Sequence, residues 1–236
     1  MAEIEIDCFR WYTECMRKSN YDKILDSADD LFYSKGFDET SMSDIASKCG
    51  LTKQALTYHF KSKNELGRLV CERYANNLVT GFANIMAGNY PSVPVVVKRA
   101  AFLLWFCADF YTKDPFAYRF YKEYICSLSS EDFDKMLAPL REVFSSFVTS
   151  QFPDSETSYI PVKIAVANFA GRGLICEYVD GRLKCDKDSF TRAYFDLFFS
   201  AFIQDKKEAD DIYESAKHLL VSLNITVLPR FRIQNE

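Results

Sequence analysis

An all-α fold is expected from three features of the sequence. Apolar residues recur at helical spacing through most of the chain. Only 8 glycines and 7 prolines punctuate 236 residues, too few for the turns of an all-β fold. No segment alternates cleanly with period two, and no fixed repeat or low-complexity tract interrupts the pattern. Apolar residues make up 48% of the chain, enough for a sizeable core. The expected organisation is an extension over residues 1–20, a small helical domain over 21–66 and a larger helical domain over 67–236.

The first helix follows from YDKILDSADDLFYSKGF, where Ile24, Leu25, Ala28, Leu31 and Phe32 share one face. Lys35 in the last turn and Gly36 after it end that helix. Ser41 or Ser43 caps a second, with Ile45 and Ala46 inward and Gly50 closing it. Thr52 caps a third, running from Lys53 to about Phe60, with Ala55, Leu56 and Phe60 inward. Ser62, with Glu65 three positions on, caps a fourth that continues to about Ala87. GNYPSVP breaks the chain. A long apolar helix over 95–112 comes next, and Pro115 sits in the first turn of its successor. Helices at about 115–128, 132–151, 159–179, 188–204 and 208–223 complete the chain, separated by polar breaks such as SLSSED, FPDSET and QDKKEAD.

Charge and composition narrow the function. The net charge of −4 excludes a surface that is basic all over, so any nucleic-acid contact is confined to a patch. The amino terminus has early acids and no apolar core of a signal peptide. The longest apolar run, AAFLLWFCADF, is about 11 residues and is interrupted by Asp109, too short to span a bilayer. A protein of the cytoplasm with no membrane partner is expected. The eight cysteines, at 8, 15, 49, 71, 107, 126, 176 and 185, show no CxxC spacing and read as reduced thiols in a helical core.

The segment TSMSDIASKCGLTKQALTYHFKSKNEL carries the functional signal. Two short helices form a unit only when they lock at a steep angle. That needs a small residue at the crossing, a glycine in the turn and an apolar wedge. Ala46, Gly50, Leu51 and Leu56 supply these, which is helix-turn-helix spacing, and in such units the second helix enters the DNA major groove. With Leu56 and Phe60 inward, Lys53, Gln54 and Thr57 face outward, with Ala55 partly so and His59 near the end; Tyr58 reads as a packing residue. Lysine suits phosphate or guanine, glutamine suits adenine, and threonine or alanine can meet a thymine methyl. Ser41 and Ser43 offer hydroxyls to phosphate. Lys63, a cation at a helix start, opposes the helix dipole and points to an anion nearby. Between Thr40 and Glu65, Lys48, Lys53, Lys61 and Lys63 stand against Asp44 and Glu65, a local charge of 4 − 2 = +2. Arg17 and Lys18 could add a basic arm.

These residues bring a resemblance with them. ILDSADDLFYSKGFDETSMSDIASKCGLTKQALTYHFKSKNEL closely resembles the DNA-binding domain of the TetR (tetracycline-repressor-like) family of bacterial transcriptional regulators, over about 46 residues. The resemblance implies that Ser41, Ser43, Lys53, Gln54, Thr57, His59 and Lys63 contact DNA. Thr57 departs from the pattern, since the family often has Tyr or Phe there. It also implies a homodimer on a pseudo-palindromic operator, usually a repressor, with a small-molecule effector bound by the second domain.

In that second domain, Phe102, Trp105, Phe106, Asp109 and Phe110 form one stripe, and Phe116, Arg119, Phe120, Glu123 and Tyr124 another. They read either as core with an Asp109–Arg119 ion pair or as an aromatic ligand site with a few polar groups. Phe144, Phe147 and Phe169 are lesser candidates. VKIAVANFAGRGLICEYV is rich in small residues, and its glycines suggest close helix approach or a bent helix end. With the aromatic helix SFTRAYFDLFFSAFI, it is expected to form a four-helix dimer interface through Ala167, Ala170, Gly171, Ile175, Phe195, Phe199 and Phe202.

An enzyme is not expected, and neither a cofactor nor a metal. The two histidines are His59 on the DNA face and His218, and no phosphate loop, nucleophile elbow or HExxH occurs. Asp29–Asp30 and Asp210–Asp211 read as solvated helix faces. The leading reading is a repressor released by a small aromatic or hydrophobic ligand. Two alternatives stand beside it: a DNA-binding regulator switched by thiols or a partner, and a ligand-binding protein with weakened DNA recognition.

Overall fold

The computed structural model describes residues 20–235 except 130, 134, 136–159, 201 and 231. Arg17, Lys18, Phe144, Phe147 and the helix expected over 132–151 lie largely or wholly outside the described residues. The fold is all-α, as the helical spacing predicts, with one small hairpin. The chain forms two compact units, Met1–Ala75 and Asn76–Glu236.

In the first unit, α1 (residues 20–34), α2 (Met42–Lys48), α3 (Lys53–His59) and the start of α4 (Lys63–Asn89) enclose one core. Ile24, Ala28, Phe32, Ile45, Leu56, Phe60, Leu66 and Val70 are fully or almost fully buried in it. Leu66 and Val70, with the buried Cys71 and Tyr74, make the first turns of α4 part of this unit. Each short helix is closed by its own sequence. Gly50 adopts φ +71°, its N–H donates to the Ser47 carbonyl at 3.2 Å, and the Leu51 N–H donates to the Ala46 carbonyl at 2.9 Å. This pair of bonds turns the chain sharply out of α2. Thr52 then caps α3 by accepting from the Ala55 N–H at 3.1 Å. Ser62 does the same for α4 through the Glu65 N–H, and Glu65 accepts from the Lys61 N–H at 2.9 Å.

Asp29 and Asp30 are not a solvated face. Asp29 is 3% exposed and lies near Arg73, which also pairs with Asp26; Asp30 pairs with Lys48 at 3.3 Å. Such pairs lock α1 against α2 and α4.

In the second unit, α5 (Val95–Trp105) runs into a π-helical segment, π1 (Phe106–Phe110), and a last turn, α6 (Tyr111–Lys113). Asp114 is buried and caps α7 (Pro115–Phe120) by accepting from the N–H groups of Phe116 and Ala117 at 3.1 and 3.0 Å. A second π-helical segment, π2 (Tyr121–Ile125), continues α7. Residues 131–133 and 135 are helical (α8), and α9 (Ile160–Val179), α10 (Lys187–Phe199) and α11 (Lys206–Val221) follow. Asp186 and Asp205 cap α10 and α11. Asp210 of α11 is paired with Arg192 of α10 at 2.6 Å.

The chain ends in an antiparallel hairpin of β1 (Ile225–Leu228) and β2 (Arg232–Asn235), with Ile225 opposite Asn235. Helical spacing gave no sign of it, because strands of four residues are too short to show a period. The hairpin explains a glycine inside α4: a Cβ on Gly81 would lie 2.8 Å from Cγ1 of Ile233.

Candidate functional sites

The outward face of α3 is built by elimination. Leu56 and Phe60 occupy the core, so Lys53, Gln54, Thr57 and Tyr58 are exposed, with Ala55 and His59 half-buried. Thr57 donates its hydroxyl proton back to the carbonyls of Lys53 and Gln54, both at 3.0 Å. What it offers outward is a methyl group and oxygen lone pairs. Tyr58 corrects the packing expectation: it is 72% exposed, with its ring edge-on to His59 at 5.5 Å. Its position beside Thr57 puts a phenol next to the site where the family often has an aromatic.

Around α2 the structure divides the two serines. Ser41 caps the helix: its Oγ accepts from the Asp44 N–H at 3.1 Å and donates to the Asp44 carboxylate at 2.9 Å. That carboxylate also accepts from the Ser41 N–H at 2.8 Å and from Lys35 at 3.0 Å, which together hold its pKa down at about 2. A carboxylate in this place disfavours phosphate, so the Ser41 hydroxyl is a helix cap first. Ser43 is exposed on the next position.

The lysines divide as well. Lys48 is neutralised by Asp30. Lys63 donates to the carbonyls of Phe37 and Asp38 at 2.8 and 3.3 Å, and its ammonium lies 4.4 Å from the Phe37 ring centroid. The groups that attract this cation to a helix start are therefore two carbonyls and a ring of its own chain. Lys53 and Lys61 have no ion pair among the described residues and carry the free positive charge of the face.

In the second unit, rings link in series from Phe82 of α4 through Phe102, Phe106 and Phe110 to Tyr111 and Tyr121, with successive centroids 4.5–6.0 Å apart. Trp105 lies against Phe110 and Phe82. It is 2% exposed, and its Nε1–H has no acceptor among the described residues. Phe82, Tyr111 and Tyr121 belong to this cluster although they lie off the two sequence stripes. Phe120 stacks on Tyr124 instead, and both are buried. Phe169 lies elsewhere, against Phe133 and under Arg172.

The expected Asp109–Arg119 pair does not form. Asp109 pairs with Lys187 at 2.6 Å, joining π1 to the first turn of α10. Both π segments fall on the stripes chosen from sequence, Asp109 and Phe110 in π1, Glu123 and Tyr124 in π2. Single π turns inside α-helices often mark functional sites because they shift side chains out of the helical register.

Of the residues expected in the dimer face, Ala167, Gly171, Ile175, Phe195, Phe199 and Phe202 are buried within their own chain. Gly171 is small because Tyr194 of α10 presses on it: a Cβ there would meet the Tyr194 Oη at 2.8 Å. Only Ala170 faces outward, with Val162, Val166, Phe169 and Gly173 of α9.

No helix among the described residues is long and apolar enough to cross a membrane. No cluster of metal-ligating side chains occurs among them.

Comparison with known proteins places the first unit. Residues 24–68 match the family described as bacterial regulatory proteins, tetR family. Over 61 residues the chain is 43% identical to the biofilm operon icaADBC HTH-type negative transcriptional regulator IcaR of Staphylococcus aureus, covering 25% of this chain and 33% of that protein. Over 73 residues it is 38% identical to the uncharacterized HTH-type transcriptional regulator YerO of Bacillus subtilis, covering 30% and 25%. The match thus spans only a quarter to a third of these curated relatives. The whole fold resembles RolR in complex with resorcinol at TM-score 0.58 and 14% identity, covering 86% of this chain and 95% of that one. A tetR family regulator from Shewanella sp. PV-4 matches at TM-score 0.51 and 19% identity, covering 77% and 97%. At such identities the likeness is one of fold.

Proposed function

We propose that this chain, whose residues 24–68 match the tetR family of bacterial regulatory proteins, is a sequence-specific DNA-binding repressor, homodimeric on an inverted repeat and released by a small aromatic or hydrophobic ligand. The observation that carries the reading is the outward face of α3. A helix locked to α2 by the Gly50 turn presents Lys53, Gln54, the Thr57 methyl and Tyr58 together, with no acid among them. Gln54 can bind adenine in bidentate fashion, its amide oxygen accepting and its amide nitrogen donating, and Lys53 can take guanine or phosphate. The small free charge of Lys53 and Lys61 makes non-specific binding weak, so two half-sites about one helical turn apart would supply the affinity.

The ligand part rests on the second unit. A buried indole N–H without an acceptor costs stability. Set among stacked rings and beside a π turn, it suits a flat aromatic molecule carrying an oxygen or nitrogen acceptor. RolR binds resorcinol, and simple phenols are the first probes for this chain. Coupling of about 1–3 kcal/mol between ligand and DNA would change affinity roughly 5–150-fold.

Selection of bound duplexes from a random pool at two salt concentrations tests the reading. An enriched inverted repeat, lost at high salt, supports it. No enrichment in protein stripped of small molecules would favour a ligand-binding protein with weakened DNA recognition.

A further inference from the structure

We propose that Cys126 and Cys176 form an oxidation site, which a hydroperoxide converts to a disulfide that ties α9 to the end of π2. The two sulfurs lie 3.2 Å apart although 50 residues separate them in the chain. An S–S bond is ~2.0 Å long, so closure asks for about 1.2 Å.

The backbones around the pair are already tied together. The Tyr121 hydroxyl donates to the Arg172 carbonyl at 3.1 Å, and the Arg172 guanidinium donates to the carbonyls of Ile125 and Leu128 at 3.3 and 3.2 Å. These bonds hold π2 and α9 together on one side of the sulfurs. On the other, Tyr118 and Lys122 both bond Asp180 just beyond α9, at 2.6 and 2.7 Å.

Cys49, Cys71 and Cys107 contrast with this pair. Burial pushes Cys71 and Cys107 far above the ordinary thiol value, and burial also raises Cys49. Cys176 is drawn down to about 7, first by the hydrogen bond from Cys126, with the Lys122 ammonium helping and Asp180 opposing. Cys126 moves the other way, because the two sulfurs share one proton. Near neutral pH about half of the sites therefore hold a thiolate beside a thiol, the state in which a reactive cysteine faces a resolving neighbour.

The chemistry balances in two steps. The Cys176 thiolate attacks the O–O bond of the hydroperoxide and becomes a sulfenic acid, while the leaving alkoxide or hydroxide takes a proton. The Cys126 sulfur then attacks the sulfenic sulfur. The S–S bond forms, the S–O bond breaks, and water leaves with the Cys126 proton. Two thiols lose two electrons, and the hydroperoxide gains them.

The test uses the full, reduced chain, hydrogen peroxide and mass spectrometry of a non-reducing digest. The expected result is a linked pair of peptides containing residues 126 and 176, lighter by two hydrogens than the separate peptides, and restored to them by dithiothreitol. In Cys126→Ser, a dimedone adduct should collect at position 176. Individually alkylatable Cys126 and Cys176 after peroxide has oxidised Cys49 or Cys185 would overturn the proposal. So would linkage of either to another cysteine. If the serine variant does not fold, the wild-type linkage map decides alone. The linkage is read on the protein without DNA, so its outcome is separate from that of the repressor reading.

Discussion

The Lys63 ammonium donates to the Phe37 carbonyl at 2.8 Å while sitting 4.4 Å over the Phe37 ring. One side chain thereby closes the loop after α1 onto the start of α4. Lys53, exposed on α3, makes no such bond. The two lysines should separate in experiment. Lys63→Ala should lower unfolding free energy by about 1 kcal/mol or more, since a charge-assisted bond and a cation–π contact are lost. Lys53→Ala should leave urea unfolding unchanged, weaken binding to all duplexes alike and reduce the salt slope by about one. Equal melting curves for the two variants would return Lys63 to the role of a phosphate contact alone.

Thr57 and Gln54 should also behave differently. The Thr57 hydroxyl proton is held by carbonyls of its own helix, which leaves its methyl and oxygen lone pairs to offer to DNA. Thr57→Val keeps a methyl and should keep operator affinity within about threefold, whereas Gln54→Ala should cost about 1–3 kcal/mol of discrimination at one base pair. Affinities for the selected operator and its single-base variants check both. A large loss in Thr57→Val would mean that the hydroxyl turns outward on binding.

The local parts of this structure were legible and the distant pairings were not, for a physical reason. The turn through Ala46, Gly50 and Leu51 and the caps at Thr52 and Ser62 close within three to five residues, so spacing alone reveals them, and it narrows the cap of α2 to Ser41 or Ser43. Asp109–Lys187 and Cys126–Cys176 join residues 78 and 50 apart. No periodicity encodes such pairs, and spacing favours Arg119 as the partner of Asp109 only because it is near in sequence. On α9, the small residues suggest either close approach of a second copy or a bent helix end. Gly171 makes room for Tyr194 of the same chain. The aromatic residues of α10 likewise look fit to face two ways, yet Phe195 and Phe199 stack on each other at 4.4 Å and are spent on one core.

The Asp44 carboxylate gives the first unit an acid-sensitive element. Its pKa falls from 3.8 to about 2, chiefly through the Ser41 N–H and next through Lys35. A depressed carboxyl adds stability that is complete above its unfolded value and lost as pH falls through the folded one. Asp44→Asn should therefore narrow its stability gap to wild type between about pH 4 and pH 2. Thermal melts of both proteins across that window measure it. A gap that stayed constant would mean that the cap works equally well without the charge.

The outward stripe of α9 gives the sharpest test of assembly. Val162 and Val166 are 62% and 57% exposed, and Phe169 and Ala170 continue the same face. In a two-fold dimer such a stripe meets its own copy, so one substitution acts twice. Val166→Glu should place two carboxylates in one apolar seam, shift the protein to monomer and weaken inverted-repeat binding at least about tenfold. Melting of the monomer should change little, because Val166 supports no part of the core. Phe199→Ala should do the reverse: it should cost about 3–5 kcal/mol of fold stability by leaving a cavity beside Phe195. Sedimentation velocity with parallel denaturant melts distinguishes the two. If Val166→Glu stays dimeric while Phe199→Ala dissociates, the interface lies on another face, and Phe199 reaches it through the shape of the core.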